Sequence, residues 1–436
     1  MPITPEALGF AGVLILLVLL AGGVRIAVAL GAVGLAGLAL AWSPEAALVK
    51  AGVITFDIMS KYELGVLPLF LLMAHLCFAA GASSDFYDAA AKFLGHRKGG
   101  LAMASVGACG GFGAISGSSL ATVATIGLVA LPEMRRRNYS PALATGVLAA
   151  GGSIGSLVPP SAALIVFGIL AEQSIGRLFT AAVVPAATQA LFYMATVALI
   201  CAIRPSLGPP LERAPWRERL IALRRLWDVG LLILLVIGGI TLGWFSPTEA
   251  ASIGAVGALG VCAVRGRLTA RAVGGALKET MRTTGMVYAV IIAAMIFSTF
   301  IAAARLSQDL AASVQMLHAS KLAVVFAMVA VILVLGMFLD GLALMTLVTP
   351  IFLPIVQELH VSPIWFGIIL VRAMEIGFVH PPVGMNVYVI HNIAKDVPLT
   401  TVFKGIVPFL MADFLHLALL ILAPALVLFL PSLLNH

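Results

Sequence analysis

Ile154-Gly155-Ser156-Leu157-Val158-Pro159-Pro160 and Ile376-Gly377-Phe378-Val379-His380-Pro381-Pro382 are two versions of one phrase, offset by 222 residues in a chain of 436. The same offset carries Leu131-Pro132 onto Leu353-Pro354 and Ser140-Pro141 onto Ser362-Pro363. Three pairs held in one register mark an internal duplication. Paired prolines remove two backbone donors in a row, so a helix that reaches them must unwind.

The surroundings of these breaks are apolar. Hydrophobic residues make up 61% of the chain and charged ones only 10%, against about a quarter charged in soluble domains. Stretches such as Leu8–Val24, Arg25–Trp42, Leu64–Ala82, Leu178–Ile203, Val229–Phe245, Thr283–Ala303 and Val402–Leu430 are long enough to cross a bilayer as helices. The composition leaves no room for a sizeable soluble domain and predicts an all-α polytopic membrane protein. The start, Met1-Pro-Ile-Thr-Pro-Glu6, reads as an uncleaved first helix rather than a signal peptide. Cys77, Cys109, Cys201 and Cys262 stand singly in apolar segments, which favours packing over disulfide or metal roles.

Charge placement supplies the topology. Twenty of the 26 Lys and Arg fall at Arg25, Lys92–Lys98, Arg135–Arg137, Arg204–Arg225, Arg265–Arg282, Lys395 and Lys404, which the positive-inside rule assigns to the cytoplasm. This distribution argues against reading the net charge of +7 as a nucleic-acid footprint. Two of the basic clusters bracket Gly100–Leu131, so that stretch enters and returns as a re-entrant hairpin over residues 100–131, turning at Ser116-Gly117-Ser118-Ser119. Its counterpart, 322–353, turns at Phe338-Leu339-Asp340-Gly341 and enters from the opposite side.

The expected organisation is therefore two inverted-topology repeats. Repeat one covers 1–203, with hairpin 100–131 and broken helix 140–171. Repeat two covers 229–436, with an arm at 264–283, hairpin 322–353 and broken helix 363–394. The linker 204–228 reads as a basic segment lying on the cytoplasmic leaflet.

Matched broken segments in two hydrophobic halves are the sequence pointer to a transport site near the membrane midplane. Serine at the first turn caps a helix whose N–H groups favour an anion, while freed carbonyls hold a small cation. Ionisable groups in lipid are functional candidates by default. Those that stand out are Asp340, His380, and Arg372 with Glu375, the last two placed three apart on one helical face. Arg372 either binds a substrate carboxylate or neutralises Glu375. Gly151-Gly152-Ser153-Ile154-Gly155 matches a nucleophile-elbow pattern without its strand-to-helix context. An intramembrane serine protease is therefore a remote alternative, and no enzymatic activity is expected. The chain carries no phosphate-binding loop or metal-spaced Cys/His cluster.

The serine-rich turn from Gly113 to Thr122, Leu131-Pro132-Glu133-Met134, Gly152–Ser161, Pro350–Pro354, Phe366-Gly367 and Gly377–Gly384 together resemble the large membrane subunit of tripartite ATP-independent periplasmic (TRAP) transporters, over about Gly9 to Leu430. The resemblance implies a sodium-coupled, elevator-type importer of an organic acid in the bacterial inner membrane. Its partners would be a small four-helix membrane subunit and a periplasmic substrate-binding protein. Two or more Na+ ions and no organic cofactor are implied. One Na+ falls to Ser116, Ser119, Gly152, Gly155 and Pro159, and a second to Gly336, Asp340, Gly341, His380 and Gly384. The substrate carboxylate falls to Ser118, Ser119 and Asp340, reached by Arg372. Where such proteins commonly show threonine before the second Pro-Pro, this chain has His380. A carboxylate symporter or exchanger working without a periplasmic receptor is the alternative.

Overall fold

A computed structural model of the chain describes residues 4–316 and 320–434. The first half contains α1 (Pro5–Ala21), α2 (Ile26–Ala41), α3 (Pro44–Ser60), α4 (Val66–Ala79), α5 (Ala82–Leu94), α6 (Gly100–Ser116), α7 (Ser119–Arg136), α8 (Pro141–Gly152), α9 (Ile154–Leu157), α10 (Ala162–Leu170) and α11 (Ile175–Ile203). A short α12 (Trp216–Arg224) links it to the second half. There follow α13 (Trp227–Thr241), α14 (Pro247–Val264), α15 (Ala270–Ala303), α16 (Leu306–Met316), α17 (Lys321–Gly336), α18 (Gly341–Glu358), α19 (Pro363–Val379), α20 (Met385–Ile393), α21 (Leu399–Leu422) and α22 (Ala425–Leu434).

The duplication reaches well beyond the Pro-Pro phrase. A shift of 222 residues lays α7 on α18 and the α8–α9 run on α19, end for end, and brings α1 and α2 onto α13 and α14 within two residues. Where the halves differ, the cause is local. The first breaks between α3 and α4 at residues 61–65, whereas the second runs through as the single helix α15 of 34 residues. The expected arm 264–283 thus continues without interruption into the span that follows it.

Helix starts follow local chemistry. Thr4-Pro5, Ser43-Pro44, Ser246-Pro247 and Ser362-Pro363 each place a hydroxyl on an orphan N–H and a preset proline just inside the helix. Among the described residues six helices are long and apolar enough to cross a membrane, or seven when α8–α9 and α10, bent by 44°, count as one span. Phe10, Val28, Leu40, Phe56, Leu234 and Leu415 are exposed, as lipid-facing positions require.

The helices pack chiefly in two groups, which meet where α15 touches α18 and α4 touches α6. α1–α4 pack with α13–α15, chiefly α2 on α15 and α4 on α14. Inside lie the helix pairs α6–α7 and α17–α18, the broken runs α8–α10 and α19–α20, and the long α11 and α21 that pack on them.

The linker is tied to the loops around it. Gly99 donates to Gly208 at 2.8 Å, Leu211 to Gly95 at 2.9 Å and Ser140 to Leu207 at 2.9 Å. Lys92 meets Glu218 at 2.6 Å. In α12 the apolar Trp216, Leu220 and Leu223 face outward while Arg219 is buried, its guanidinium 5.7 Å from the Phe93 ring centre and 5.2 Å from that of Trp216. Arg265 at the end of α14 grips both oxygens of Asp228 at 2.7 Å, Asp85 at 2.6 Å and the Ala80 carbonyl at 3.2 Å. It thereby joins the outer group to the start of α5. Replacing Arg265 by methionine leaves the buried Asp228 and the partly buried Asp85 carboxylates unmatched. It is expected to destabilise the fold by about 3 kcal/mol, read by denaturant titration of the solubilised protein.

Candidate functional site

The α6–α7 turn places Gly117 in left-handed backbone, φ +57°, which glycine adopts without the steric cost of a Cβ. The next residue, Ser118, is extended and caps α7, accepting from the Ala121 N–H at 3.4 Å. The tip seats directly on the first break: the Gly117 carbonyl accepts from Ala162 N–H at 3.3 Å, and Ser119 N–H donates to Ser156 Oγ at 2.9 Å. Ser161 closes the break by donating to the Ser156 carbonyl.

Close approach explains the small residues here. A Cβ on Gly155 would stand 3.0 Å from the Ser118 carbonyl oxygen, and one on Gly152 would stand 3.1 Å from the Ser119 carbonyl oxygen. Ser116 Oγ lies 2.8 Å from Thr122 Oγ1, which donates to the Ser118 carbonyl at 2.8 Å. Ser116, Ser119, Gly152 and Gly155 are thus brought together around the carbonyls of Ser118 and Ser119, with Pro159 in the break beside them. Oxygen donors of this kind suit a small hard cation.

The second set is more spread out. Gly336 packs on the second broken helix at Gly377, where an added Cβ would meet the Gly336 carbonyl carbon at 2.6 Å. Asp340 caps α18 by accepting from Leu342 and Ala343 N–H, both at 3.0 Å. Gly341 faces the side chains of Met374 and Phe378. Across the break, Gly384 is left-handed at φ +61° and lies near the His380 carbonyl. His380 Nδ1 donates to the neighbouring Pro381 carbonyl at 2.5 Å, and its ring contacts Phe414. The structure therefore places Asp340 and Gly341 at the turn and His380 and Gly384 at the break, with no direct bond between the two pairs.

Both turns open into one cavity of about 590 Å³. On the inner side it is lined by Ser116–Ala121, Ser156 and Asp340–Leu342, and on the outer side by His75 and Phe78 of α4 with Thr283, Met286 and Val287 of α15. Ser118, Ser119 and Asp340 are thus in the cavity wall. No lysine or arginine is part of that lining, so the N-terminal end of α7 is the electropositive feature available to an anion.

Arg372 lies elsewhere. It is buried and donates to Asp413 Oδ1 and, at 3.2 Å, to His416 Nδ1. Asp413 Oδ1 also accepts from Gln189 at 2.8 Å and from the Tyr193 hydroxyl at 2.5 Å. The pairing with Glu375 suggested by helical spacing is not made, because α21 delivers a better-placed carboxylate. Ser153 of the nucleophile-like motif bonds the Ala150 carbonyl at 2.7 Å and Tyr193 at 2.9 Å, with no histidine among its partners.

Sequence reasoning left Ser156 and Asn386 out of the site and singled out Glu375 only as a partner of Arg372. Ser156 receives Ser119 N–H, and Asn386 Nδ2 donates to Ser119 Oγ at 2.9 Å and the Ala149 carbonyl at 3.2 Å. Glu375 is fully buried beside Ser119 and Ser156. The available signal was a polar residue in an otherwise apolar helix next to a break.

Comparison with known proteins places this architecture. The Alcanivorax borkumensis YdaH transporter has a similar fold, with a TM-score of 0.59 at 15% identity over 84% of this chain and 86% of that one. The C4-dicarboxylate TRAP transporter large permease of Pseudomonas aeruginosa is 35% identical over 379 residues, 86% of this chain and 88% of that protein. The sialic acid TRAP transporter large permease of Vibrio cholerae is 32% identical over 376 residues, covering 86% and 87%. The ectoine TRAP transporter large permease of Halomonas elongata is 33% identical over 370 residues, covering 84% and 85%. These relatives are named as permeases, not enzymes. The family profile described as "Tripartite ATP-independent periplasmic transporter, DctM component" matches residues 13–426, and the chain belongs to that family, as a multi-pass large permease of the TRAP transporters.

Proposed function

We propose that this permease imports a small organic acid across the bacterial inner membrane by sodium symport, with the inner helix group moving against the outer one as an elevator. The observation that carries the reading is the meeting of both helix turns in one cavity at the boundary between the two groups. A carboxylate at the Ser118-capped end of α7 gains from the positive end of the helix dipole. A cation held by the Ser118 and Ser119 carbonyls beneath it offsets the substrate charge, so each ligand favours binding of the other. The relatives named for C4-dicarboxylates, sialic acid and ectoine support a permease whose cargo is chosen largely by a separate receptor. A small four-helix membrane subunit and a periplasmic substrate-binding protein complete this reading.

The test is reconstitution in liposomes with those two partners, using radiolabelled succinate, sialic acid and 2-oxo acids each with its binding protein. Uptake of at least one acid is expected only with an inward sodium gradient and only with the binding protein present. Equal uptake without the binding protein would favour the receptor-independent symporter instead, and uptake indifferent to sodium would overturn the coupling.

A further inference from the structure

The buried charges of the inner group do not balance. Arg372, Glu375 and Asp413 are each no more than 1% exposed. Arg372 is committed to Asp413. The neighbouring His416 accepts from Arg372 at Nδ1, so its other nitrogen donates to Thr188 Oγ1 at 2.9 Å, as in a neutral ring. One positive group thus faces two carboxylates. Glu375 is the one left over, and both of its oxygens are buried without a hydrogen bond of normal geometry. An uncompensated carboxylate in a dry interior costs several kcal/mol, so something neutralises it.

The surroundings are rich in oxygen. Ser119 and Ser156 hydroxyls are the polar neighbours of Glu375. Asn386 directs its Nδ2 to Ser119 Oγ and the Ala149 carbonyl, which fixes the amide orientation and leaves Oδ1 as a second buried, unpartnered acceptor. These oxygens come from α7, α9, α19 and α20, so both repeats contribute. Ser119 and Ser156 also line the cavity, so this cluster sits where the α6–α7 turn meets both broken helices.

We infer that Glu375 and Asn386 Oδ1, with the hydroxyls of Ser119 and Ser156, hold a monovalent cation at the first turn, Glu375 supplying its counter-charge. The inference rests on the sodium-coupled reading above but assigns side chains from the second repeat, where that reading uses hydroxyls and backbone of the first alone. The bound ion neutralises Glu375, and through Ser119 it stiffens the turn that presents α7 to the substrate. Filling this position thereby couples the two broken helices.

The test reads sodium binding rather than uptake. The purified full chain, with its membrane partner, is titrated with NaCl against choline chloride at constant ionic strength, and thermal stability is followed. Wild type is expected to gain stability with sodium, and Glu375→Gln, which keeps the shape and removes the charge, to raise the half-saturating concentration by about tenfold or more. Should that variant not yield monodisperse protein, Asn386→Ala reads the same quantity and is expected to shift it in the same direction. An unchanged half-saturating concentration in the variant overturns the assignment of Glu375, meaning that a proton neutralises it, while sodium coupling stands. No sodium response in wild type would sink both.

Discussion

Replacing Gly155 by leucine is expected to reduce uptake by more than about 100-fold, the scale on which a displacement of about 1 Å at a working site is felt, while the protein remains membrane-inserted and monodisperse. A Cβ at this position already reaches 3.0 Å from the Ser118 carbonyl oxygen and from Thr122 Cβ. The remaining leucine atoms have no space, because Gly155 itself is buried and Thr122 is fully enclosed. Relief comes from lifting the α6–α7 turn off the break, which separates the carbonyls of Ser118 and Ser119 from Gly152 and turns the α7 end away from the cavity. The helices on either side keep their packing on α11 and α21, so folding should persist. Uptake assays in vesicles with size-exclusion profiles of the same preparation check both halves of the expectation. Normal uptake by Gly155→Leu would show that the turn and the break need not touch.

The second large effect is on stability. Arg372→Ala is expected to cost about 3–5 kcal/mol, the range for removing one partner of a buried ion pair, because Asp413 is left charged and enclosed with only Gln189 and Tyr193 to satisfy it. For a polytopic protein this is read as a shortened half-life at fixed temperature. Arg372→Met combined with Asp413→Leu should recover much of the loss, since no charge is then stranded. The same variants decide what the arginine does. It lies outside the cavity wall, so whatever Arg372→Ala protein survives is expected to keep its KM for substrate. A variant with normal half-life and a KM raised tenfold would return Arg372 to the substrate.

The two arginine readings show where sequence reasoning loses its grip. Arg372 and Glu375 sit three apart on one helix, and helical geometry allows them to meet. Whether they do depends on what the neighbouring helix offers. Asp413 arrives from α21 already flanked by Gln189 and Tyr193 of α11, and a bond supported by two further donors outcompetes a lone neighbour on the same turn. Nothing in the spacing of residues 372 and 375 announces this. Asn386 is a similar case: its position in the second break helix was visible, but its reach to Ser119 was not. The linker's prolines and arginines suggested a surface segment, but its partners were not legible: Gly99, just ahead of α6, donates to the Gly208 carbonyl, and Lys92 of α5 pairs with Glu218.

By contrast, the helix interruptions were legible from the chain because their causes are local. Paired prolines cannot donate, a serine or aspartate restarts a helix, and a glycine tolerates left-handed backbone, whatever lies nearby. Repetition at 222 residues then required two copies of one unit, and apolar composition required lipid around them. The amino-acid sequence alone therefore determined that two broken-helix units lie in a membrane, and where each is interrupted. Only the tertiary structure decided which buried charges pair, which is left over, and that both turns share one cavity. Those outcomes depend on how helices some 200 residues apart rotate and pack against each other, and the side-chain pattern of one helix does not specify the facing surface of another.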